Sequence, residues 1–301
     1  MSILKRSDSA ETTRMPFSPA NKGRSRRRKV MDRLMGGLAV IATMIALVPL
    51  ASILIYVTAK GMAAINWDFF TQLPKPVGEV GGGLANAIVG TLVLVGLASG
   101  LAIPLGILAG IYLSEFGRGR LGWSVRFLCD VMTGIPSIIV GIAVYGTIVL
   151  TMKRHSAIAG GVALAVIMLP LVTRTAEEML RLVPNSLREA SLALGASHWR
   201  TTLSVVLRSA AGGVITGSLL AVARAAGETA PLLFTALSSK YWHTGLDQRI
   251  ASLPVYIFTY AGTPFAELHR LAWGAALVLL SMVLVASILA RMAGRKAYGG
   301  R

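Results

Sequence analysis

Two charges sit where an apolar solvent makes them expensive. In Leu219–Ala236, LLAVARAAGETAPLLFTA, Arg224 and Glu228 are the only ionisable residues of an apolar run covering roughly 209–236. An arginine near the middle of a membrane-spanning helix costs about 2.5–3.5 kcal/mol on insertion scales, so such residues face a bundle interior or a wet path. The i, i+4 spacing predicts that both side chains stack on one helix face, with Gly227 between them and Pro231 loosening the backbone one turn on. A guanidinium stays charged and binds oxyanions through paired hydrogen bonds. Arg224 therefore fits an anion path, with Glu228 tempering it. The same two residues could instead be an internal pair that only fixes helix packing. Thr229 and Thr235 add hydroxyls nearby.

Two further polar spots lie in apolar surroundings. In Thr133–Gly141, TGIPSIIVG, Pro136 removes a backbone donor and Ser137 offers a hydroxyl where carbonyls are freed; the alternative is a simple kink. In Leu169–Leu180, LPLVTRTAEEML, Arg174 has Glu177 and Glu178 at i+3 and i+4, so local pairing competes with a role in the path. An intramembrane enzyme using Glu228 or Asp130 as acid or base would need a second carboxylate, histidine or metal ligand at matching depth. The pattern offers none. The four histidines show no HExxH spacing, the single cysteine excludes an intramolecular disulfide, and no GxxxxGK[ST] phosphate loop occurs, despite the glycine cluster at Gly78–Gly83. No catalytic residue, metal site or cofactor is expected.

The elements that must hold these residues are apolar. Of 301 residues, 54% are hydrophobic and 14% charged, against about 25% charged in a soluble domain. The net charge of +17 is not a nucleic-acid surface, because ten of the 30 lysines and arginines fall in residues 1–33 and most others lie in short gaps between apolar runs. Six runs, near 34–58, 86–113, 127–150, 157–180, 209–235 and 271–291, are each about the ~20 residues needed to cross the hydrocarbon. The expected architecture is all-α: a polytopic membrane protein with six transmembrane helices over residues 34–292. A disordered basic cytosolic tail (1–33) precedes them and a short cytosolic tail (293–301) follows. With both termini inside, the cytosolic segments hold 21 lysines and arginines and the outer segments seven, with Lys153 and Arg154 running against the trend. The outer segment 236–270 and its aromatics (Tyr241, Trp242, Tyr256, Tyr260 and the adjacent Trp273) suit an interfacial belt.

The longest inner loop is RLVPNSLREASLALGASHWRTTLSVVLR, residues 181–208. Ser186 and Glu189 fit an S-x-x-E capping box for a short helix that stops at Gly195, and Ser197 can cap a second helix leading into the fifth span. Apolar residues such as Leu192 and Trp199 on such a loop point to a partner's groove. Glu189, Ala190 and Ser191 with Gly195 resemble the EAA loop of ABC-type importer permeases, although Arg208 stands where that motif usually closes on proline. TGIPSIIVG, LPLVTRTAEEML, VPNSLREASLALGAS, ARAAGETAPLLFTA and ASLPVYIFTYAG, in that order, are together similar to the A-type permease subunits of bacterial high-affinity phosphate importers.

That resemblance implies a type I ABC importer permease fold in the bacterial inner membrane, with residues 184–204 as the coupling loop. It implies a heterodimeric pore with a second permease, two copies of a cytosolic ATPase that hydrolyses the ATP, and an extracytoplasmic phosphate-binding protein. The substrate would be inorganic phosphate; sulfate, molybdate or a small organic anion is the alternative cargo. Arg224, Glu228, Arg174, Ser137 and Thr229 would belong to the substrate path, and Glu189, Ala190, Ser191 and Gly195 to the ATPase contact.

Overall fold

The structure, a computed structural model, describes residues 22–299, all of whose regular elements are helices. The chain divides into two units, Met1–Tyr56 and Val57–Arg301. Helix α1 (Lys22–Met62) carries Pro49 within it and supplies the first apolar span. Of the tail expected to be disordered, residues 1–21 lie outside the described residues. Lys22–Arg33 is helical and continuous with the span, because arginine, lysine and methionine are good helix formers that extend a helix already nucleated by the apolar run. At the other end the last helix runs on to Gly299, so most of 293–301 belongs to it.

The second unit is built on two long helices, α3 (Ala85–Glu115) and α7 (Ala157–Arg181); short α2 (Trp67–Thr71) precedes α3. Glycines fix how α3 and α7 meet. A Cβ at Gly106 would lie 2.7 Å from Val172, one at Gly110 2.6 Å from Ala176, and one at Gly160 2.8 Å from Leu94. The partners keep a constant offset along the sequence, so the two helices run parallel. Small residues permit this backbone approach, and apolar side chains such as Leu94, Leu164, Met168 and Val172 close it. Parallel neighbours require the chain to return between them.

The return path is broken. Helix α4 (Arg120–Gly134) is followed by α5 (Ser137–Val144), a π-helical turn (Tyr145–Val149) and α6 (Leu150–Met152). The axis bends by 104° between Gly134 and Ser137. Pro136 lacks an N–H and forces Ile135 out of the helical region (ψ 131°). The apolar run at 127–150 is therefore not one straight span, and the described residues hold five long apolar helices, or six spans when the bent pair is taken as one.

Beyond α7, α8 (Asn185–Ala193) and α9 (His198–Thr201) form the knob expected from the loop. The proposed capping box is not made. Proline 184 occupies the N-cap position and places Ser186 inside the first turn, so the helix starts earlier than the Ser-x-x-Glu spacing suggested. Ser197 does cap α9, accepting from the Arg200 N–H at 3.4 Å. A π-helical turn (Thr202–Val206) then leads directly into α10 (Leu207–Ala226), in keeping with Arg208 replacing a proline. Helix α10 packs antiparallel on α7, Gly217 against Thr175 and Gly213 against Met179.

The fifth span also departs from expectation. Helix α10 stops at Gly227, and a separate short helix α11 (Ala230–Thr235) follows. Pro231 sits in the first turn of α11, where it needs no donor, and cannot continue α10. Helix α12 (Leu253–Ala261) lies in the segment expected to be an interfacial belt. Its Tyr256 and Tyr260 are instead core residues at 3% and 5% exposure, and burial raises both phenol pKa values, so they stay neutral donors. Tyr256 donates to the Ser239 carbonyl at 3.0 Å. Helix α13 (Ala266–Gly299) closes the unit, with Gly274 against Phe69 and Ala64.

Candidate functional site

Arg224 occupies the last turn of α10, three residues ahead of its glycine stop. Its side chain is 51% exposed and lines a cavity of about 310 Å³ with Met132, Thr133, Ser137, Thr147 and Val166 among the other walls. The break at Pro136 turns α5 so that Ser137 and Thr147 face that space. Gly141 lets α5 approach α11 closely: a Cβ there would fall 2.6 Å from the Pro231 Cα. Apart from the Thr133, Ser137 and Thr147 hydroxyls the other walls are apolar, which concentrates the field of the one cation that lines them.

Glu228 does not stack above Arg224 on a continuous helix, as the i, i+4 spacing predicted. It lies in the unwound Gly227–Thr229 connection. Its Oε1 is 3.9 Å from Arg224 Nε, beyond hydrogen-bond reach, and the Arg224 guanidinium donates no hydrogen bond to any described residue. Thr229 is the N-cap residue of α11 and makes no side-chain cap bond.

Arg174 is placed quite differently. It grips Asp130 of α4 through Nε (3.0 Å to Oδ1) and Nη2 (2.7 and 2.9 Å to Oδ1 and Oδ2), and its Nη1 reaches Glu177 Oε2 at 3.4 Å. Glu177 is 2% exposed and also accepts Arg126 Nε at 2.6 Å and meets Arg181 Nη2 at 2.7 Å. Three arginines thus surround one buried carboxylate, as a buried charge demands. Arg126 further donates to the Leu113 and Gly117 carbonyls at the end of α3. Glu178, the other expected partner, is exposed.

At the same end of α7, Glu189 and Ala190 are exposed on α8, as are Leu194 (89%) and Trp199 (62%). Ser191 Oγ pairs with Thr201 Oγ1 at 2.9 Å, bracing α8 on α9. Gly195 takes φ +80°, the left-handed stop expected of it. Arg188 fastens the knob to the span: it donates to the carbonyls of Leu180 (2.9 Å) and Val183 and to Glu115 Oε1 of α3 (3.0 Å).

Residues 102–297 match the family of binding-protein-dependent transport system inner membrane components. The phosphate transport system permease protein PstA of Yersinia pestis is 45% identical over 88% of this chain and 90% of its own length. PstA of Haemophilus influenzae is 44% identical, covering 88% and 94%. The chain belongs to this permease family. As an inner-membrane component of an ABC transporter, the permease has the type I importer fold. It superposes on a chain of a methionine ABC transporter in an inward-facing form (TM-score 0.61, 18% identity, 71% of this chain and 95% of the other). A bacterial alginate ABC transporter, solved in complex with an alginate-bound periplasmic protein, gives TM-score 0.64 at 14% identity, covering 90% and 96%.

The permease brings Arg224, Ser137 and, at longer range, Glu228 to one place, and sets Arg174 in a separate ionic cluster. Sequence reasoning named Asp130 only as a rival acid or base and missed its pairing with Arg174, along with Glu177 as a hub, Arg126, and the Arg188–Glu115 tie. A signal existed for the first: an acid in one apolar run and an arginine in another are each costly alone and cheap as partners.

Proposed function

We propose that this chain is the A-type permease subunit of an ATP-driven importer of inorganic phosphate, forming the translocation path with a second, related permease. The observation that carries this is Arg224: a half-exposed guanidinium with no hydrogen-bonding partner among the described residues, on the wall of a largely apolar cavity that carries three hydroxyls. The phosphate permeases that are 45% and 44% identical to it favour phosphate over sulfate, molybdate or an organic anion as cargo.

The space suits a transient guest. About 310 Å³ is on the order of ten water volumes, enough for a phosphate with part of its hydration shell. Arg224 attracts the anion, the Ser137 hydroxyl can donate to a phosphate oxygen, and Thr229 borders the unwound segment beside it. Glu228, close but not bonded, keeps the attraction shallow, because a path must release what it admits. Arg174 is spent on Asp130 and Glu177, so in this reading it holds α4 to α7 at the rim of the path.

The knob of α8 and α9 is the ATPase contact, with Glu189, Ala190, Ser191 and Gly195 at its face and Leu194 and Trp199 as apolar anchors. Two copies of a separate cytosolic ATPase would supply the hydrolysis, and an extracytoplasmic binding protein would deliver phosphate at the other end of α7. Both termini are then cytosolic. Replacing Arg224 by Gln should reduce phosphate uptake by reconstituted importer at least a hundredfold while the complex still assembles. Full uptake would refute the assignment.

A further inference from the structure

Lys153 and Arg154 run against the charge asymmetry that orients the chain, in a turn too short to need either. The structure sets them on a second, larger cleft of about 780 Å³, walled also by Tyr241, Trp242, Asp247 and Arg249. It lies at the start of α7, the end away from α8 and α9, some 37 Å along a 25-residue helix. Three cations face one carboxylate here. Arg154 meets Asp247 at 2.8 Å. Lys153 and Arg249 are exposed, with no ion pair to any described residue.

The backbone at Lys153 is a second observation. The Arg154 N–H bonds the Val149 carbonyl (3.2 Å) and the Lys153 N–H bonds that of Leu150 (3.3 Å), with Lys153 at φ +54°. The same pattern ends α8, where the left-handed residue is Gly195. Glycine is the usual occupant; a side chain there costs about 1 kcal/mol. A lysine thus occupies a position where its backbone is unfavourable and its charge works against orientation.

The two cavities share a wall. Val144 and Thr147 line the Arg224 cavity, while Tyr145, Val149 and Leu150 line the outer cleft. Lys153 lies about 9 Å along the axis from Thr147. We infer that the outer cleft is an anion station, where Lys153 and Arg249 hold an inorganic oxyanion of the phosphate class before it reaches Arg224. The inference rests on the phosphate-importer reading and adds a site to it.

The test uses the complete importer in proteoliposomes, with saturating binding protein and inorganic phosphate as the probe. Lys153→Asn keeps a residue that tolerates the left-handed region and removes the charge; Arg249→Gln removes the other. The double variant should slow initial uptake about tenfold at low ionic strength, the lower end of what electrostatic focusing supplies. The deficit should shrink as salt rises, binding-protein affinity should hold, and Lys153→Arg should restore the rate. Unchanged uptake at low salt overturns the station. So does a deficit that tracks weaker association of the binding protein, which would make the cleft a protein contact. A wild-type complex that moves no phosphate overturns the importer reading instead.

Discussion

Arg174 and Arg224 both interrupt apolar helices, and their surroundings differ in kind. The first is saturated by two carboxylates; the second makes one long ion pair, at 3.9 Å, and has no acid in hydrogen-bonding distance among the described residues. The difference makes stability and transport separable. Glu177→Ala strands Arg126 in a site where Glu177 was almost wholly buried, and removing one member of a buried ionic cluster costs on the order of 3 kcal/mol. Asp130→Asn touches a pair that is more than half exposed on the acid's side, where ion pairs are worth roughly 1 kcal/mol or less. Thermal unfolding in detergent should therefore drop clearly for Glu177→Ala and little for Asp130→Asn. Equal drops would show that the cluster is not centred on Glu177.

At the scale of elements, close helix contacts and one tether set the expectations. Gly110→Leu puts a side chain where even a Cβ would lie 2.6 Å from Ala176, and overpacking of this kind costs about 1–3 kcal/mol; the yield of assembled complex should fall accordingly. Arg188→Gln frees α8 from Glu115 and the end of α7. Uptake per ATP hydrolysed should fall at least threefold while the ATPase remains bound; an unchanged ratio would mean that the tether transmits nothing. The spans themselves were legible, since apolar length decides them. Their interruptions were legible in place, at Pro136 and Pro231, but not in extent. A proline marks where a helix is weakened but not by how much the axis turns, so neither the 104° bend after α4 nor the separate helix α11 could be read ahead. Tyr256 and Tyr260 read as interface residues because composition cannot see that α12 folds into the core. Arg224 was legible as a candidate because only Glu228 joins it in its own apolar run, whereas the Asp130–Arg174 contact joins residues 44 apart.

For the molecule as a whole, the proposed direction of insertion rests on the charge asymmetry of the loops. Single cysteines at Leu194 and His243, in a Cys129→Ser background, should react with a membrane-impermeant maleimide from opposite sides, Leu194 only after the inner face is opened. Labelling of Leu194 in intact cells would reverse the orientation proposed here, and with it the placement of the ATPase. The glycine-lined contact between α3 and α7 has a mechanical corollary. Helices locked ridge to backbone along their length travel as one stiff rail, so opening and closing must be taken up where the ladder of amide bonds is already interrupted. One such joint is the three-residue gap, 227–229, that separates α10 from α11 just beyond Arg224. A few torsions there would tilt α11 against α10, and so shift what faces the guanidinium, without unmaking a single helical turn, which is the kind of joint a valve worked by the proposed ATPase would need.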